Sequence, residues 1–285
     1  MSMKKKFFVG VLVVGFFIAL VHVIHMLTLD RMVQYREIDF FSANWPAELN
    51  GYRIGFIADT HRLYADDLET IVAELNDRNL DLLLLGGDYA YIRNIFGGRG
   101  LSYFYASQAE YVSSVFTAFA SVNTTDGIFG VEGNHDIHFP VGEIMAQAGI
   151  GFLQNSGLHI RDGFFLAGVD DLWHRSPCIE TATSDAAQDD FVLLLTHHPD
   201  VAMKQDTSGV DLILAGHTHG GQITFFGWPF YLLRGSITDY GTRFGYGWAE
   251  SRHGVPVYVT RGLGNYSVPR VFARRQVVVF TMWTR

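Results

Sequence analysis

Five short clusters of aspartate, asparagine and histidine punctuate this sequence: Asp59-Thr60-His61, Gly86-Gly87-Asp88, Gly133-Asn134-His135-Asp136, Thr196-His197-His198-Pro199-Asp200 and Gly216-His217-Thr218-His219-Gly220-Gly221. Carboxylate, imidazole and carboxamide oxygen are the donors that hard and borderline divalent metals take, and about seven of them would serve two ions sharing one bridging carboxylate. The single cysteine removes a thiolate cage and an internal disulfide, so histidine, present 12 times, must carry any metal chemistry. His217 and His219 alternate, which on an extended segment points both rings to one side. Each cluster alone is weak: Asp-x-His also reads as a surface loop, and Gly-Asp after a strand as a plain turn. Their combination and order favour a site.

Each cluster ends a short apolar run. Arg53 to Ala58, Asp81 to Leu85, Ile128 to Val131, Phe191 to Leu195 and Asp211 to Ala215 read as buried strands, with further strands at Phe164 to Val169, Val255 to Thr260 and Val277 to Met282. Leu68, Ile71, Val72 and Leu75 stand at helical spacing within Ala65 to Asp77, and a second helix is expected around Tyr103 to Val122. Alternating strands and helices predict a layered α/β fold, in which ligands gather at the carboxyl ends of strands. After about residue 150 the strands follow one another with few helical patterns, so a mainly antiparallel second sheet is expected beside the first.

Ahead of this region, three lysines within residues 1–6 precede Phe7 to Leu29, an uncharged stretch of 23 residues. At about 1.5 Å per residue it spans roughly 34 Å, enough for a bilayer core. A secretory signal peptide is the competing reading, but its apolar region is usually shorter and ends in a small-residue cleavage site, which is not evident here. The expected organisation is a basic cytoplasmic tip at 1–6, a transmembrane anchor at 7–29, a connector at 30–49 and one globular domain at 50–285. The lysines outweigh Arg31 and Arg36 across the span, so the positive-inside rule leaves the N-terminus cytoplasmic and the domain outside, periplasmic or extracellular. His22 and His25 read as interfacial polar residues.

A chain of 285 residues with 48% hydrophobic and 18% charged side chains can bury a full core and is not disordered. The net charge of −8 argues against a non-specific nucleic-acid binder. That figure hides an asymmetry. Residues 30–219 carry −17, whereas 220–285 carry +6, from 8 arginines against 2 acids. Within this basic quarter, nine aromatics crowd residues 225–248, among them Phe225, Phe226, Trp228, Phe230 and Tyr231. They read either as a packed hairpin or, with Arg234 and Arg243, as an amphipathic rim that meets a membrane surface.

The five clusters, in this order, resemble the calcineurin-like metallophosphoesterases, whose pattern is D-x-H, GD, GNHD, a later His, and GHxH. Asn50-Gly51-Tyr52-Arg53-Ile54, Thr196 to Asp200, Gly216 to Gln222 and Arg261-Gly262-Leu263-Gly264 are similar to the membrane-anchored bacterial branch, which includes UDP-2,3-diacylglucosamine pyrophosphohydrolase-like and cell-wall-associated phosphoesterases. The resemblance covers roughly residues 45–283. It implies a sandwich of two mixed β-sheets flanked by helices. It also implies two divalent metal ions, Mn, Fe, Zn, Mg or Co: Asp59, His61, Asp88 and His219 would hold one, and Asp88, Asn134, His197 and His217 the other. His197 is preferred to His198 because the family's ligand stands two residues before the proline. His135 is expected at the phosphoryl or leaving-group oxygen, with Asp136 orienting its ring.

The implied reaction is hydrolysis of a phosphodiester or pyrophosphate bond by metal-activated hydroxide, with a lipid-linked envelope precursor of the lipid A pathway as a candidate substrate. UDP-2,3-diacylglucosamine itself is met on the cytoplasmic face, which conflicts with the topology above. A broad phosphodiesterase with no lipid preference and a catalytically silent tethered scaffold are the alternatives; the scaffold ordinarily loses ligands, and here every ligand position is filled. Two departures stand out. Arg62-Leu63-Tyr64 follow His61 where the branch often has glycine, which touches the rim of the site, and Arg275-Gln276 replace an expected Pro-Glu, read as structural.

Overall fold

The computed structural model describes residues 2–61, 63, 65–90, 101–229, 237–264 and 270–285. Arg62, Tyr64, Phe230, Tyr231 and Arg234, named above, lie outside them. Strands β1 (Gln34–Ser42), β2 (Tyr52–Ile57), β3 (Leu82–Leu85), β4 (Ile128–Gly130), β5 (Gly151–Phe152) and β12 (Gln276–Thr284) form a first sheet in the order β1-β12-β2-β3-β4-β5. A second sheet takes β6 (Ser156–Arg161), β7 (Phe164–Gly168), β8 (Phe191–Thr196), β9 (Leu212–Ala215), β10 (Gly247–Glu250) and β11 (Pro256–Val259) in the order β10-β11-β9-β8-β7-β6.

Side-chain alternation builds the layers. Ile54 and Phe56, Leu82 and Leu84, Leu193 and Leu195, and Val278 and Phe280 point between the sheets and share one core. Their neighbours Ile57, Leu83 and Leu85 face the opposite way, toward α2 (Ala65–Asn76), α3 (Leu101–Phe119) and α4 (Val141–Gln147). On the other flank Val192, Leu194 and Ile213 pack on α5 (Ile179–Ala182) and α6 (Val201–Lys204). Because both faces of the inner strands are buried, those strands read as unbroken apolar runs. The result is a mixed α/β sandwich of two mixed sheets flanked by helices.

Two sequence expectations are corrected. The second sheet is not mainly antiparallel: β7-β8, β8-β9 and β9-β11 pair parallel, and only the outer pairs β6-β7 and β10-β11 are antiparallel. The β7-to-β8 and β8-to-β9 crossovers use helices of only four residues, too short to leave a periodic pattern. Nor is 30–49 only a connector, since β1 runs parallel to β12 along its full length, from Gln34 opposite Gln276 to Ser42 opposite Thr284. Beyond it Trp45, almost fully buried, packs against Tyr52, Phe164 and Phe191 and plugs one end of the sandwich.

Helix α1 (Met3–Leu27) has no buried residue and a mean hydropathy of 2.8 in its apolar window. It is long and apolar enough to cross a membrane, a property that secretory signal sequences share.

Candidate metal centre

Strand ends from both sheets deliver the polar clusters to one place. β2 leads to Asp59 and His61, β3 to Asp88 and β4 to Asn134, while β8 leads to His197 and β9 to His217 and His219. One ligand atom from each of Asp59, His61, Asp88 and His219 lies within 4.8 Å of the others, and the same holds for Asp88, His197 and His217. Asp88 belongs to both groups. Asn134 joins the second through Oδ1, 3.1 Å from His197 Nε2 and 2.9 Å from His217 Nδ1.

The backbone bends sharply to achieve this. Asp59, His61, Asp88, His217 and His219 all have positive φ, half of the ten described non-glycine residues that do. Side chains resist that region, and such strain persists only where surrounding structure imposes it, often at functional sites. Gly87 (φ +89) marks one close approach, since a Cβ there would lie 2.8 Å from both His197 Nδ1 and Gly133 N.

Three of the four convergent rings are aimed through their other nitrogen. His61 Nδ1 donates to Ala90 O (2.7 Å), His197 Nδ1 to Gly86 O (2.8 Å) and His217 Nε2 to Ile237 O (2.9 Å). With those protons placed, His61 Nε2, His197 Nε2 and His217 Nδ1 present lone pairs to the cluster, as metal-bound imidazoles do. His197 Nε2 stands 3.2 Å from Asp88 Oδ2 and 3.2 Å from His217 Nδ1; His219 Nε2 is 3.6 Å from Asp59 Oδ1. Lone pairs gathered at such distances repel one another, and positive charge among them removes the repulsion. The donor set of nitrogen and oxygen without sulfur fits divalent cations.

Electrostatics agree. Burial pushes Asp59 up to about 7 and His61 down to about 4, and holds His217 and His219 well below the usual histidine range. Burial would lower His197 too, but Asp88 beside it lifts it to about 10. Conversely, burial would raise Asp88, and the imidazoles of His197 and His135 bring it well below the carboxylate range.

His135 sits at the more open side, its Nε2 3.9 Å from Asp88 Oδ2, while its backbone N–H donates to Asp88 Oδ1 at 2.8 Å. Asp136, expected to steer the His135 ring, is fully buried and accepts four backbone N–H groups, from Asp88 (2.7 Å), Tyr89, Ala90 and Gly133 (each 2.9 Å). Burial and the nearby Asp88 push its pKa up to about 7 against the pull of those donors. His198 stays outside the cluster, accepting the Asp200 N–H on Nδ1 and stacking on His217 at 4.1 Å.

Sequence reasoning missed two neighbours. Buried Arg270 donates to the carbonyls of Gly264, Arg261 and His219, tying the loop after β11 to the His219 turn. Trp173 stands edge-on to His217 at 4.6 Å, in a turn pinned by Asp171, which accepts the Trp173 and His174 N–H groups. Neither sits in a strand-end cluster, so spacing could not mark them. Arg275 and Gln276, by contrast, are structural as read. Arg275 donates to Asp67 and Leu263 O, and Gln276 Oε1 accepts the Arg261 N–H.

Comparison with known proteins bears on this geometry. Residues 52–221, which hold all seven convergent residues, match the model of the family described as calcineurin-like phosphoesterase. The chain is 29% identical to an uncharacterized metallophosphoesterase, YkuE, of Bacillus subtilis over 88% of this chain and 86% of the relative. It is 31% identical to the phosphodiesterase YaeI of Escherichia coli, over 81% and 82% respectively. It is 27% identical to a zebrafish (Danio rerio) transmembrane protein with metallophosphoesterase domain, over 82% of this chain but only 53% of the relative. An Asp/His cluster at the strand ends of a two-sheet sandwich and a family match across it lead to one statement: the chain belongs to the calcineurin-like phosphoesterases and is a metal-dependent phosphoester hydrolase.

Proposed function

We propose that the enzyme hydrolyses a phosphodiester or pyrophosphate bond with two divalent cations, one on Asp59, His61, Asp88 and His219, the other on Asp88, Asn134, His197 and His217. The observation that carries this is the pair of donor groups meeting at Asp88. Cations held there supply Lewis-acid charge for the phosphoryl oxygens and lower the pKa of water, which Mn, Fe, Zn, Mg or Co would all do. The protein's part is positional. Carbonyls of Ala90, Gly86 and Ile237 fix the imidazoles, and Asp136 fixes the two loops that bear Asp88 and Asn134. His135, beside Asp88 at the open side, is the catalytic residue that donates to the phosphoryl or leaving-group oxygen where negative charge accumulates.

The substrate reading is a phosphate ester carried by an envelope lipid or lipid-linked precursor of the UDP-2,3-diacylglucosamine kind, met by a domain tethered through α1 as a transmembrane anchor. The apolar helix supports the tether, the zebrafish relative's name agrees with it, and the Escherichia coli relative's name favours a diester. By the charge rule the N-terminus lies in the cytoplasm and the domain outside. The deciding assay offers the full-length enzyme, with each metal in turn, a phosphomonoester, a phosphodiester and a pyrophosphate ester. Turnover of the diester or pyrophosphate, abolished by a chelator, is expected; metal-independent turnover would overturn the reading. Protease protection in sealed vesicles tests the topology.

A further inference from the structure

The end of α1 does not simply leave the domain; it is docked on it. Buried Asp30, just past the helix, accepts the backbone N–H groups of Phe272 (2.8 Å) and Ala273 (3.1 Å) and lies 2.7 Å from His25 Nδ1. The His25 ring stacks on Phe272 at 3.9 Å. One turn earlier, His22 lies against Phe225 at 5.3 Å and Phe226 at 4.7 Å. These contacts fix the angle at which the domain hangs from the helix.

Phe225 and Phe226 belong to a hairpin whose form is informative. Phe225 and Trp228 exchange two backbone hydrogen bonds of 3.0 Å, leaving Phe226 (φ +50) and Gly227 (φ +87) as a two-residue tip. Both tip residues take positive φ, the geometry for which Asn-Gly is the favoured pair. Phenylalanine in the left-handed region is strained, and its ring is not buried in the protein core in return: Phe226 is 52% exposed and Trp228 56%. Such a tip gains from its aromatic rings only if something apolar covers them.

The helix says what that is. His22 stands five residues before Leu27, so at about 1.5 Å per residue the hairpin reaches roughly 7.5 Å up the apolar face of α1. That is the depth at which amphipathic elements settle into the headgroup and acyl boundary of a bilayer. A surface held alongside a membrane-spanning helix at that height faces lipid.

We propose that the Ile223–Trp228 hairpin is a second membrane contact, inserting its aromatic tip into the lipid interface beside α1 so that the His217–His219 cluster meets phosphoesters at the bilayer surface. The short tie supports the coupling, because Ile223 stands four positions after His219, and Thr224 N–H is bonded to Val271 O, next to the docked Phe272. This deepens the function proposed above and rests on α1 being a membrane anchor.

The test uses full-length protein in vesicles of phosphatidylethanolamine and phosphatidylglycerol. In a Cys178→Ser background, a nitroxide is placed at Phe226→Cys or, as a control in the turn between β6 and β7, at Asp162→Cys. The label at 226 is expected to collide with oxygen in preference to a water-soluble nickel complex, and the label at 162 to show the reverse. Equal nickel accessibility at the two positions overturns the proposal. As a second arm, Phe225→Ser/Phe226→Ser/Trp228→Ser is expected to lower hydrolysis of a vesicle-borne phosphodiester about tenfold while leaving a soluble aryl phosphodiester unchanged. Equal loss on both substrates overturns it. If the wild type hydrolyses neither, the proposed reaction fails and the nitroxide result still decides the contact. If alkaline washing strips the protein from the vesicles, the anchor reading falls and this proposal with it.

Discussion

His61 Nε2 and His219 Nε2 face each other at 3.0 Å across nearly parallel rings, 12° apart. One ring comes from the first sheet and the other from the second, so whatever positive charge lies between them holds the sandwich together at this edge. Burial lowers the pKa of both rings, so without a metal the protons are taken up elsewhere in the cluster, at Asp59 and His197.

Metal binding should therefore be linked to proton release. Asp59 and His197 are raised, to about 7 and about 10. A group raised in the fold stabilises fully below its unfolded value, and that stabilisation is lost as pH climbs through the folded one: for Asp59 from 3.8 to about 7, for His197 from 6.5 to about 10. Chelated protein is expected to lose thermal stability between pH 7 and 9, while the gain in Tm on adding Mn or Zn widens over the same range. Scanning calorimetry at several pH values checks this, and a metal-induced gain that shrinks with rising pH would contradict it.

Asp88→Ala removes the only carboxylate common to both donor groups. Loss of bound metal and a fall in kcat of at least about 10³-fold are expected, because metal charge supplies several kcal/mol to the transition state. Metal content by atomic emission, read beside circular dichroism, separates loss of metal from loss of fold.

His135→Ala should behave differently. The side chain belongs to neither donor group, so metal content should hold while kcat falls by about 10² to 10⁴. Asp136→Asn, in contrast, places an amide donor against four backbone N–H donors and should loosen the metals themselves. If His135→Ala lost metal as readily as Asp136→Asn, the division of roles would be wrong.

Trp45 lies far from this chemistry in role. Trp45→Ala opens a cavity among Tyr52, Phe164 and Phe191 and deletes the bond from its indole N–H to Leu49 O. A loss of about 3 to 5 kcal/mol in a urea titration is expected, with unchanged kcat below the melting range.

Much of this site was legible in the sequence because chemistry and topology coincide there. Strands buried on both faces are almost wholly apolar, so Asp59, Asp88, Asn134, His197 and His217 appear as abrupt polar endings. β1 was not legible: Gln34 to Ser42 mixes charged and apolar residues at the sheet edge, and its partner β12 lies some 240 positions away. Arg270 and Trp173 act through carbonyls and ring edges, which impose no spacing. His22 and His25 read as ordinary interfacial residues, and only tertiary structure joins them to Phe225, Phe226 and Phe272.

The position of β12 has a consequence in time. It lies between β1 and β2, so the first strands to be synthesised cannot meet their shared neighbour until residues 276–284 exist. At roughly 5 to 20 residues per second, β2 waits about 10 to 45 s for that strand. During the interval β1 has no partner, and the edge of β2 is an open template. A chain that loses its last ten residues would remain in that condition permanently, a target for proteolysis rather than a slightly shortened enzyme.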